Sequence, residues 1–107
     1  AMPEPENKFQ VIMSKRAAQQ LVEQAAFVAQ LEERLARQLV VDFRKAAYSL
    51  QSFPYRNPIL RSDFFVTEKY RKMLFGKWYL LIYQIKGERV LVEYVIDGQQ
   101  DFQWLIQ

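Results

Sequence analysis

The chain has 107 residues, 50% of them hydrophobic and 15% aromatic, with three glycines and four prolines, which suits one packed domain and excludes a low-complexity or linker-rich polypeptide. It has no cysteine, no histidine and a net charge of +3, so disulfides, thiol nucleophiles and zinc ribbons are excluded and the commonest general base and metal ligand are missing. No run approaches the roughly 18 consecutive apolar residues of a membrane helix, and the lack of cysteine and of a leader-like start points to the cytoplasm.

The opening AMPEPEN, residues 1–7, is expected to be a disordered lead-in with Ala1 a remnant ahead of a start methionine, Met2. Residues 8–107 are then the single domain. KFQVIMS, residues 8–14, alternates Phe9, Val11 and Met13 against their neighbours and reads as a short strand. Ser14 can cap a helix beginning at Lys15. Apolar residues recur at Ala18, Leu21, Val22, Ala25, Val28 and Ala29, and again at Leu35, Leu39, Phe43, Ala46, Ala47 and Leu50, the spacing of one-faced helices.

Pro54 ends the second series. No glycine or proline separates the two, yet one helix over 15–51 would be about 55 Å long at 1.5 Å per residue, far beyond the core of a chain this size. A break within 30–33 is therefore expected, giving an antiparallel helical hairpin.

Residues 55–62, YRNPILRS, read as a loop, and 63–68 are ambiguous between loop and extended chain. RKMLFGKWYLLIYQIKGERVLVEYVIDGQQDF, residues 71–102, is three apolar runs joined by glycine-bearing turns at Gly76 and Gly87 and reads as a three-stranded antiparallel meander. In its middle run Tyr79, Leu81, Tyr83 and Ile85 share one face while Trp78, Leu80 and Ile82 share the other. Two helices can cover one of these faces; the C-terminal DFQWLIQ, a partner, or both should shield the second. Gly98 is expected to permit a turn that a side chain would resist. Asp101 could pair with Arg89 or Arg71, or serve as a turn carboxylate.

LQSFPYR at the end of the second helix, the hairpin YRKMLFGKWYLLIYQI and the closing VLVEYVIDGQQDF together resemble the RelE/ParE superfamily of toxins from bacterial type II toxin–antitoxin systems, in its plasmid-stabilisation, ParE-like branch. The resemblance spans residues 8–106. It implies an α+β fold in the order β-α-α-β-β-β, a helical hairpin packed on an antiparallel meander, no cofactor and no metal. It also implies a cognate antitoxin, in a toxin–antitoxin hetero-oligomer, and growth inhibition through DNA gyrase by a non-enzymatic inhibitor. The alternatives are a ribosome-dependent messenger RNA endonuclease, or a decayed member that binds its antitoxin without toxicity.

The endonuclease reading needs a proton acceptor, a proton donor and cations for the phosphate. Arg71, Lys77, Tyr83 and Asp97 are the residues that could be recruited. Leu80 stands where such members carry an arginine, and Asp97, Gln99 and Gln100 stand where they carry basic residues or histidine, so the cutting set is depleted. Between residues 56 and 77, Arg56, Arg61, Lys69, Arg71, Lys72 and Lys77 face Asp63 and Glu68, a local excess of four positive charges. This stretch is either a target or antitoxin site or a charged guard on a sheet edge. Target or antitoxin contacts are assigned to Arg56, Arg61, Arg71, Lys72, Lys77, Trp78, Gln99, Gln100 and Trp104; the two tryptophans could equally be core.

Overall fold

The computed structural model describes residues 8–61 and 68–98. Strand β1 (Gln10–Met13) leads into helix α1 (Lys15–Ala29), and helix α2 (Glu33–Ser49) is followed by a 3-10 turn at Pro54–Arg56. Strands β2 (Tyr70–Phe75), β3 (Tyr79–Lys86) and β4 (Arg89–Asp97) form the meander. The sheet order is β1-β4-β3-β2, antiparallel within the meander and parallel between β1 and β4. The expected α+β arrangement is therefore present, with β1 making the sheet mixed. None of the described helices is long and apolar enough to cross a membrane. The expectations for residues 1–7 and for the closing DFQWLIQ lie outside the described residues.

The local signals explain most boundaries. The Ser14 side chain accepts a hydrogen bond from the Ala17 amide at 3.0 Å and so caps α1. The hairpin bend falls at Gln30–Glu32, between the two helices, as chain length requires. Pro54 disfavours the right-handed helical region for the residue before it, and Phe53 takes a left-handed conformation at φ 51°.

The inward faces differ slightly between the helices. On α2, Leu39, Phe43, Ala46 and the C-cap residue Leu50 are buried as their spacing predicts, whereas Leu35 is exposed and Ala36 takes the inward position in its place. On α1 the buried residue is Ala17, with Leu21 and Ala25 packed beside it, while Val22 is exposed. The stripe is rotated because α1 packs edgewise against both β4 and α2, and a methyl at position 17 lets its backbone come close to the sheet.

Tyr79, Leu81, Tyr83 and Ile85 face the helices together with Val90, Val92 and Val95, and fully burying each aliphatic among them contributes about 1.5–3 kcal/mol. Leu80 and Ile82 face the other way, in a second cluster with Ile96, Tyr70, Tyr94 and Leu60. Leu60 comes from the loop after the 3-10 turn, which forms a bridge from Ile59 to Arg71 on β2.

In β4 the alternation breaks. The register to β3 shifts between Ile82 and Tyr83, which pair with Tyr94 and Val92, so Glu93 is an extra bulged residue. That insertion puts both Val92 and Val95 on the helix side. The Glu93 carboxylate accepts from Gln84 Nε2 at 2.8 Å and pairs with Arg16 at 3.5 Å. Arg16 also lies 4.1 Å above the Tyr94 ring.

Candidate partner-binding site

Strand pairing sets Arg71 directly opposite Tyr83, both on the helix side and both against the loop that follows α2. Tyr83 is fully buried. Its hydroxyl donates to the Pro54 carbonyl at 2.6 Å and accepts from Asn57 Nδ2 at 3.1 Å. Burial raises its ionisation above the ordinary phenol value, and the Asn57 hydrogen bond with the charges of Arg56 and Arg71 pulls it only partly back.

Arg71 Nη1 donates to the carbonyls of Asn57 at 2.7 Å and Tyr55 at 3.0 Å, while its guanidinium carbon lies 5.2 Å from the Tyr55 ring centre. Arg56 performs the same service at the end of α2. Its Nη1 donates to the carbonyls of Ser52 at 2.8 Å, Phe53 at 3.2 Å and Ser49 at 3.4 Å, and its Nη2 donates to Ser49 Oγ at 2.8 Å. A cation is well placed there, where orphan carbonyls carry the negative end of the helix dipole.

Three sequence-selected residues, Arg56, Arg71 and Tyr83, thus meet, and together they lock the loop. Their donors point at oxygens of the protein itself, main-chain carbonyls except for the Ser49 hydroxyl that Arg56 Nη2 meets.

The other described residues of the set lie elsewhere. Lys72 is exposed on the opposite sheet face, and Arg61 pairs with Glu68. Lys77 and Trp78 sit in the β2–β3 turn, after Gly76 at φ +60°. Asp97 faces Tyr79 across β3 and β4, and burial, followed by the negative charge of Asp97, raises the Tyr79 ionisation. Arg71 to the strand end at Phe75 is already about 13 Å at the usual rise per residue, so Lys77 and Asp97 stand at the far end of the sheet from Arg71 and Tyr83. Gln99, Gln100 and Trp104 lie outside the described residues, as does Asp101.

Gly98 is required by proximity. Its amide donates to the Trp78 carbonyl at 2.6 Å, and a Cβ there would stand 2.6 Å from that same oxygen. Leu80, where an arginine would serve cleavage, packs in the outer apolar cluster. No group of acidic residues able to hold a metal occurs among the described residues.

One surface escaped the reading by apolar spacing. Arg34, Arg37, Val41, Arg44, Lys45 and Tyr48 recur at helical spacing on the outward side of α2, opposite the buried Leu39 and Phe43. The signal was present in the cations of α2 themselves, read at the same 3.6-residue period.

The chain matches the family description "ParE toxin of type II toxin-antitoxin system, parDE" over residues 11–102. In structure it is similar to a protein of the chromosomal ParDE toxin–antitoxin system from P. aeruginosa, with a TM-score of 0.69 at 15% identity, covering 86% of this chain and 98% of that one. It is also similar to a conserved hypothetical protein from Helicobacter pylori, with a TM-score of 0.58 at 11% identity, covering 86% and 97%. At these identities the structural likenesses speak for the fold. No curated protein matches in sequence. The match along nearly the whole chain, with a fold of the same kind beneath it, makes the protein a member of the ParE toxin family of type II toxin–antitoxin systems.

Proposed function

We propose that the protein arrests growth by binding DNA gyrase in the cytoplasm, without breaking a bond, and that a cognate antitoxin neutralises it. The observation that carries this reading is the engagement of Arg71 and Tyr83. Cleavage of RNA would need a phenol or carboxylate ready to take a proton, beside cations free to meet phosphate. Here the phenol is buried with its ionisation raised, and both neighbouring guanidinium groups bind loop carbonyls. Asp97 and the turn that carries Lys77 lie about 13 Å or more along the strands from Tyr83 and Arg71. Inhibition through surface complementarity asks for none of this chemistry.

An antitoxin is supported by the family and by exposed apolar side chains near the helical bend, Phe27 and Leu31, at 64% and 73% exposure. Those side chains would be covered by an amphipathic segment of a partner. The test is supercoiling by purified gyrase in the presence of the protein, alongside cleavage of ribosome-bound messenger RNA. Loss of supercoiling with intact RNA is expected; intact supercoiling with cut RNA would overturn the proposal.

A further inference from the structure

We propose that the outward face of α2 is the surface that grips the inhibited target, and that its partner is an acidic protein surface with an apolar centre. The inference rests on the gyrase reading above and assigns it a place on the molecule.

The stripe has a specific charge pattern. Arg34 pairs with Glu32 at 3.0 Å and Arg37 with Glu33 at 3.8 Å. Arg44 and Lys45, further along the helix, form no ion pair among the described residues. The remaining acid of the helix, Asp42, accepts from Gln38 at 2.8 Å and leans toward the β2–β3 turn, 3.6 Å from the position a Cβ would take at Gly76. It therefore leaves the outward stripe uncompensated.

Val41, between these cations, and Tyr48, one turn beyond Arg44, face water at 42% and 67% exposure. A solvated helix face needs neither. Tyrosine and arginine around an apolar centre are the composition of binding hot spots, and arginine suits carboxylate recognition by its planar fork. A phosphate backbone would use the cations but leave Val41 without a partner, so a protein surface fits better than DNA. The hairpin bend, with Phe27 and Leu31 exposed, remains for the antitoxin.

The experiment measures binding of the purified full chain to purified gyrase at low and physiological salt, for wild type, R44E/K45E and Y48A. The substituted residues are exposed, so thermal midpoints should stay near that of wild type. Expected are a loss of at least about tenfold in affinity for R44E/K45E with a weaker salt dependence, and a comparable loss for Y48A with the salt dependence retained. Wild-type affinity in R44E/K45E would overturn this assignment while leaving the gyrase reading intact. No binding by wild type would overturn the gyrase reading and the assignment with it. A bare DNA duplex that binds wild type and loses affinity in step with gyrase would overturn the protein partner in favour of nucleic acid.

Discussion

The Tyr83 hydroxyl donates to the Pro54 carbonyl at 2.6 Å across 29 residues of chain, tying the middle strand of the sheet to the turn that stops α2. Removing that hydroxyl in Tyr83→Phe strands a carbonyl and the Asn57 amide group in a buried site, at a cost of about 1–3 kcal/mol. The thermal midpoint should fall by roughly 4–8 °C per kcal/mol lost. Scanning calorimetry of the single variant checks this, and an unchanged midpoint would show that the bond adds nothing.

Arg71 holds the same loop from β2. Arg71→Ala releases the Tyr55 and Asn57 carbonyls and should cost about 1–2 kcal/mol, with hydrogen exchange accelerated across residues 55–60. Arg71→Lys should recover little, because one ammonium cannot reproduce the fork that lies on the Tyr55 ring. Gyrase inhibition should persist in whatever fraction remains folded. Abolished inhibition in a fully folded variant would make Arg71 a contact residue instead.

Alkaline pH offers a separate check. Burial raises the Tyr83 and Tyr79 phenols above the ordinary value near 10, so the folded state holds these protons more tightly than the unfolded chain. Their contribution to stability is complete below pH about 10 and declines as pH rises through the folded values. The tyrosinate absorbance of Tyr83 and Tyr79 should therefore be delayed beyond the ordinary phenol value, and Tyr83→Phe should remove part of that late component. Tyr83→Phe should flatten the alkaline loss of stability, and a late component identical in both proteins would refute the link.

Two glycines should respond differently to a methyl group. At Gly98 a Cβ would meet the Trp78 carbonyl at 2.6 Å, so Gly98→Ala must push β4 and the β2–β3 turn apart, at a cost of about 1–3 kcal/mol. At Gly87 nothing lies within 4 Å, but φ is +61°, so Gly87→Ala should cost about 1 kcal/mol through backbone strain alone. Gly87→Asn should recover part of that loss; Gly98→Asn should not. Denaturant midpoints of the four variants decide the matter.

Much of the fold was legible because it rests on periodicity and local stops. Alternation in β3 assigned Leu81 and Tyr83 to one face and Leu80 and Ile82 to the other; chain length demanded the bend at Gln30–Glu32; Pro54 ended the helical region. The parallel pairing of β1 with β4 was not legible, since four residues at the start of the chain carry no mark of a partner 79 residues on. Nor was the bulge at Glu93, because Val92 and Val95 keep the same chemistry on either side of the parity change. At the candidate site, residue type drew notice to Arg71 and Tyr83. Their engagement depends on where the loop carbonyls of Pro54, Tyr55 and Asn57 fall, and main-chain oxygens leave no trace in a sequence.

The most direct test of gyrase inhibition is pulse-labelling of DNA and protein synthesis in bacteria immediately after this chain is induced without an antitoxin. Binding to gyrase predicts that DNA synthesis fails first while protein synthesis continues. Protein synthesis failing first, or neither failing, would contradict it.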